Sequence, residues 1–345
     1  MSRSRFVPVF VAALVVLSGC SGVLSGDETP TATPTDQPDP TSTPTATATA
    51  EASYTQTPHT GCQPGAIEKN GSCQAVTSGG NADIFDAENL SAITSTRTTI
   101  DGTPGYLARP ADNGTYPAVV MIHEWWGLNE NIEHMADILA GHGYVVFAVD
   151  LYDGEVATNA SRASELSGQV RSNPDVAVSK MSRAVSGLRD ASYTTERVAS
   201  LGWCFGGGQS LQLSLSDADL NATVVYYGTL TTNESTLRTV DGPVLGIFGS
   251  EDQVVGIENV REFDRTLGDL GVEREIYVYE GASHAFANPS GESFRPNDTR
   301  DAWAKTLRFL DENLRDGDAA ASQERQRLTP PVPTASTRRG RVRPH

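Results

Sequence analysis

The stretch Val198-Ala199-Ser200-Leu201-Gly202-Trp203-Cys204-Phe205-Gly206-Gly207-Gly208 decides how this chain folds. The apolar residues Val198–Trp203 read as a buried strand, and the residues from about Gly207 to Leu215 read as a helix. Between them lies Gly-x-Cys-x-Gly, the form of a nucleophile elbow with cysteine in place of serine. In such an elbow the nucleophile stands on a strained turn, and Gly202 and Gly206 remove side chains that would collide there. The helix that follows points its N-terminus at Cys204, which favours a thiolate over a thiol. A buried structural cysteine at an ordinary turn is the plainer alternative. The flanking glycines and the strand–turn–helix context favour the elbow.

Outward from the elbow, strands alternate with helices. Upstream, Thr96–Ile100 and Gly105–Arg109 read as a hairpin around Asp101-Gly102, and Ala118–His123 and Tyr144–Val149 as buried strands. Asn131–Ala140 shows helical spacing in Ile132, Met135, Ala136 and Leu139, and Gly141 and Gly143 stop it. Helices are expected over Ala160–Arg171 and Asp175–Asp190. Downstream come strand Ala222–Tyr227, strand Val244–Phe248, helix Ile257–Leu270, strand Glu275–Tyr279 and helix Thr299–Leu314. This alternation predicts an α/β fold: a doubly wound, mostly parallel sheet with helices on both faces.

A cysteine nucleophile needs a base, and the base needs an orienting acid. Asp252 follows the strand ending at Phe248, and His284 follows the strand ending at Tyr279. Both therefore fall at carboxyl ends of strands, where sites of open α/β sheets gather. Asp252 is expected to orient His284, with Glu251 as the rival acid. Taken singly, each is as easily a loop residue making backbone contacts; the order nucleophile, acid, histidine argues for the set. The segment His123-Glu124-Trp125-Trp126-Gly127 follows another strand. An oxyanion hole in this arrangement takes one backbone N–H after the nucleophile and one from this loop, so Phe205 and Trp125 are the expected donors. Glu124 places a carboxylate near the thiol; a rim residue paired with an arginine is the bland alternative. The tryptophans read as pocket wall.

These residues together resemble the dienelactone hydrolase family, over roughly Ala92 to Leu314. The resemblance rests on His123-Glu124-Trp125-Trp126-Gly127, Val149-Asp150-Leu151-Tyr152, Gly202-Trp203-Cys204-Phe205-Gly206-Gly207, Asp252 and His284-Ala285-Phe286. It implies an α/β-hydrolase fold, a Cys204–His284–Asp252 triad, and a part for Glu124 in switching thiol to thiolate when substrate binds. It implies no metal and no cofactor. Well-known members hold a substrate carboxylate with arginines, one shortly after the Leu-Tyr and one four residues after the histidine. Here Leu151-Tyr152 is followed by Asp153, Gly154 and Glu155, and Asn288 takes the second position. A buried carboxylate without a cation is costly by several kcal/mol. The expected substrate is thus a small ester or lactone in general; Arg162, on the following helix, is the candidate substitute cation. A binding module on a hydrolase scaffold, or a cysteine acyltransferase or peptidase, is the alternative.

The chain has 345 residues and a net charge of −17, and its last thirty residues are locally basic. So acidic a body argues against nucleic-acid binding. Only Lys69, Lys180 and Lys305 are lysines, and scarce lysine with abundant Asp resembles proteins of salt-loving organisms. Arg3 and Arg5, the apolar run Phe6–Leu17 and Leu17-Ser18-Gly19-Cys20 resemble a signal peptide with a lipobox, spanning 1–20, whose Cys20 is lipidated. A plain signal peptide is the alternative. Residues 21–61 read as a disordered Thr/Pro-rich stalk, 62–94 as a Cys-containing linker, 95–315 as the hydrolase domain and 316–345 as a disordered tail. Cys62 and Cys73 are expected to pair in an oxidising compartment. Seven Asn-x-Ser/Thr sequons, Asn113 and Asn221 among them, are compatible with export. The expected location is the outer face of the cell membrane, with release if Cys20 carries no lipid.

Overall fold

The computed structural model describes residues 84–87 and 90–315, and the backbone of an antiparallel pair formed by β1 (Ala66–Lys69) and β2 (Ser72–Ala75). The expectations for Cys20, for residues 21–61 and 316–345, and for a Cys62–Cys73 bond lie outside the described residues.

The main sheet opens with β3 (Ile93–Ile100) and β4 (Thr103–Pro110), an antiparallel pair whose register closes at Ile100 and Thr103. Asp101 (φ 45°) and Gly102 (φ 72°) both take left-handed backbone, as the tightest hairpin turn demands. Then follow β5 (Tyr116–Ile122), α1 (Glu130–Gly141), β6 (Val145–Val149), α2 (Ala160–Ser172), α3 (Pro174–Arg189) and β7 (Thr194–Trp203). The chain continues through α4 (Phe205–Ser214), β8 (Ala222–Tyr226), α5 (Glu234–Leu237), β9 (Val244–Gly249), α6 (Ile257–Asp269), β10 (Arg274–Tyr279) and α7 (Pro296–Leu314). The eight strands lie in the order β10-β9-β8-β7-β5-β6-β4-β3. Those from β10 to β6 are parallel; β4 and β3 run antiparallel.

The parallel strands read as continuous apolar runs because both of their faces are covered. Along β5 the side chains alternate between two cores. Val119 and Met121 join Leu139, Val146, Trp303 and Phe309 beneath α1 and α7. Val120 and Ile122 join Phe147, Met181 and Leu188 beneath α3. Asn129 and Asn159 cap α1 and α2 by accepting from Ile132 N (3.2 Å) and Arg162 N (3.0 Å).

Residues 84–87 and 90–94, read from the sequence as part of the linker, are instead built into the body. Ile84, Phe85, Ala87, Leu90 and Ile93 are buried in the first core. Trp303 Nε1 donates to Phe85 O at 2.9 Å, His142 Nε2 bonds the same oxygen at 3.1 Å, and Ser91 N donates to Gly141 O at 3.0 Å. The domain boundary therefore lies upstream of 95. The segment has no period-two or helical repeat, so its burial left no pattern in the sequence. At the far end of the described body Arg315 donates to His142 O at 2.8 Å. Since α1 runs back from the carboxyl end of β5 to the start of β6, both ends meet the body on the side away from the loops that follow the strands.

Candidate active site

Cys204 stands alone between β7 and α4 with φ 53° and ψ −115°. A non-glycine residue in this region is strained by about 1–3 kcal/mol, and the surroundings must hold it there. They do so by close approach: a Cβ on Gly202 would fall 2.2 Å from Gly206 O, and one on Gly206 would fall 2.3 Å from Ile122 O. Cys204 N donates to Tyr226 O at 3.0 Å, which ties the turn to the neighbouring strand.

The loops after β9 and β10 bring Asp252 and His284 to this turn. His284 Nε2 lies 3.1 Å from Cys204 Sγ, and His284 Nδ1 lies 2.8 Å from Asp252 Oδ2. The other Asp252 oxygen accepts from Val254 N (2.7 Å) and Val255 N (3.0 Å). Burial alone would lower the His284 pKa, but its bonds to Asp252 and Cys204 outweigh it and push it up to about 10. Burial likewise would raise Asp252, yet His284 and the two N–H groups hold it below its ordinary range. The imidazole therefore holds its second proton more tightly than a free histidine does. Glu251, the rival acid, is exposed.

Glu124 is buried, 6 % exposed, and burial raises its pKa to about 7 against the opposing pull of His284 and of a bond from Asn288 Nδ2 (2.6 Å). Asn288, at one expected arginine position, thus serves this carboxylate. Arg162 is not a spare cation either: it grips Glu155 at 2.5 and 2.7 Å and Glu165 at 2.7 Å. Asp153 pairs with Lys180 at 2.6 Å. Arg171 comes nearest the elbow's aromatic wall, with its guanidinium 5.5 Å from the Phe205 ring centre. Trp125 N and Phe205 N donate no hydrogen bond among the described residues, so both remain available to an oxyanion.

His123 supports the loop in a way the sequence reading missed. It is fully buried; its Nε2 accepts from Leu151 N at 3.2 Å, and Nδ1 lies 2.6 Å from Glu124 O. The acceptor role fixes the neutral tautomer with Nδ1–H donating, in accord with the lowering of its pKa by burial. Tyr152 OH donates to Trp125 O at 3.2 Å. Both contacts join distant segments, so only their place in the shared motif could have signalled them.

The dienelactone hydrolase family model matches residues 103–314, which holds the elbow, Asp252 and His284. The chain belongs to the dienelactone hydrolase family. As a member it is a carboxylic ester hydrolase of the α/β-hydrolase superfamily. Protein usf of Aquifex pyrophilus is 33% identical over 217 residues, covering 61% of this chain and 93% of that protein. An Aquifex aeolicus relative provisionally named carboxymethylenebutenolidase is 29% identical over 213 residues, 60% of this chain and 91% of its own. Among solved structures, m3DLH is 26% identical with a TM-score of 0.58, covering 64% of this chain and 98% of its own. A Klebsiella pneumoniae protein provisionally named dienelactone hydrolase shares the fold at a TM-score of 0.55 and 24% identity, covering 64% of this chain and all of its own. The family's hydrolase body thus corresponds to the described domain.

Proposed function

We propose that this family member cleaves a small neutral ester or lactone through a Cys204–His284–Asp252 triad and an acyl-thioester. The observation that carries the reading is the hydrogen-bonded chain from Cys204 Sγ through both nitrogens of His284 to Asp252. The Cys204 thiolate attacks the carbonyl carbon, and the oxyanion settles on Trp125 N–H and Phe205 N–H. The C–O bond breaks as His284 gives its Nε2 proton to the departing oxygen, which in a lactone stays tethered. Water then attacks the thioester, His284 takes back a proton, and the acid leaves as the thiolate is released. Glu124, poised near neutrality beside His284, exchanges a proton with this pair as substrate arrives.

Asn288 and the paired Arg162 favour an uncharged substrate, since neither offers a free cation. Cys204→Ala should abolish turnover of p-nitrophenyl acetate with an unchanged circular dichroism spectrum; retained turnover would overturn the assignment. A panel of neutral and anionic lactones tests the charge preference. Faster turnover of the anionic set would refute it, and loss of that turnover in Arg171→Ala would name the cation responsible. We further propose that Cys20 carries a lipid that holds the enzyme at the outer membrane face. Labelled palmitate should enter the full chain and not its Cys20→Ser variant.

A further inference from the structure

Tyr227 follows β8 directly, in a backbone conformation that a bulky residue rarely takes, with φ 35°. Its N–H donates to Ile247 O at 2.7 Å, and a Cβ on the next residue, Gly228, would strike Gly207 C at 2.3 Å. The strain is thus imposed by the close approach of this strand end to the elbow. It seats the Tyr227 ring edge-to-face on His284, 5.2 Å between centres, with Phe286 and Tyr226 on its other sides. The hydroxyl is buried and has no hydrogen-bond partner among the described residues. A buried hydroxyl left unpaired costs about 1–3 kcal/mol, so it calls for a partner.

Tyr227 and Glu124 line the same cavity, of about 10 Å³, together with Asn131, Met135, Trp203 and Asn288. That volume suits one water molecule, and the polar groups around it supply the several bonds such a water makes. We propose that Tyr227 is a positioning residue for Glu124: its hydroxyl donates to one internal water in this cavity, and that water donates to the Glu124 carboxylate. Asn288 holds the carboxylate by a direct bond, and the Tyr227 water holds it by a second. His284 and Asn288 from the loop after β10 act on Glu124 directly, and Tyr227 after β8 lies within the field of Glu124, Cys204 and Asp252. From α1, the neutral Asn131, Ile132 and Met135 line this cavity. A water donating to the ionised form lowers the pH at which Glu124 ionises, and its loss raises it.

The inference rests on the proposed role of Glu124 near Cys204. The test therefore follows the rate of Cys204 alkylation by iodoacetamide against pH in the full-length enzyme, which needs no ester substrate. The wild-type profile should show an inflection near pH 7 that Glu124→Gln removes. In Tyr227→Phe it should move up by about one unit, and the double variant should match Glu124→Gln. An inflection unmoved in Tyr227→Phe, with near-ultraviolet circular dichroism intact, overturns the proposal, as does a wild type without one. A Cys204 that alkylates no faster than free cysteine would instead count against the nucleophile reading. Should Tyr227→Phe fail to fold, a wild-type crystal structure at about 1.5 Å decides. Density for a water within bonding reach of Tyr227 Oη and Glu124 supports the proposal, and a hydroxyl bonded directly to protein overturns it.

Discussion

Because burial lifts the Glu124 carboxyl from 4.5 to about 7, the folded protein holds this proton more tightly than the unfolded chain does. The stability this confers is complete below about pH 4.5 and is lost as pH rises through 7. Glu124→Gln cannot ionise, and its carbonyl can still accept from Asn288. The variant should be more stable than the parent at pH 8 by about 1–3 kcal/mol, and nearly equal at pH 4, by urea unfolding. It should also be slower. A second residue-scale prediction concerns Asp252→Asn, which alters one of the two partners, Asp252 and Cys204, whose bonds and charges together outweigh burial at His284. The His284 titration, followed by NMR, should fall from about 10 by more than a unit, and kcat by about a hundredfold or more. The sequence marked Cys204, Asp252, His284 and Glu124 through motif and order, and the fold brings these side chains together. It did not carry His123 or Tyr227, whose roles arise from bonds and packing between segments that only the sheet brings together.

At the scale of elements, the elbow is a meeting of three backbones, and the glycines are where they touch. Gly206→Ala would drive a methyl into the carbonyls of Ile122 and His123. The turn must shift, and with it both Cys204 Sγ and Phe205 N. Expected are a loss of about 1–3 kcal/mol of stability and a collapse of activity larger than the melting shift implies, seen by assaying well below the transition. A fall in activity that merely tracks the unfolded fraction would contradict this account. Most elements were legible because β5 to β9 are apolar runs between helical periods. The short α5 was not, since Glu234–Leu237 is a single capped turn with no repeat to detect.

For the whole molecule, the limits of the cooperative unit differ from those suggested by composition. Residues 84–90 look like the end of a polar tether, yet Phe85 sits edge-on to Trp303, 5.6 Å between ring centres, and its carbonyl takes two side-chain bonds. Phe85→Ala should cost about 3–5 kcal/mol. A chain starting at residue 91 should be destabilised at least as much. Melting of both variants equal to that of the parent would show that this segment adds nothing. Here the sequence failed for a physical reason: a short turn packed on the body buries residues without any period.

The convergence of Phe85 and Arg315 on His142 has a practical sequel. In a domain trimmed to residues 84–315, a bead, electrode or fusion partner coupled at either end would sit on the side of the sheet away from the loops that carry Cys204 and His284, leaving Cys204 open to solution. The same closeness makes the domain a candidate for circular permutation: a short linker from Arg315 to Ile84 would let new termini be cut elsewhere, for example in the exposed turn at Asp101-Gly102.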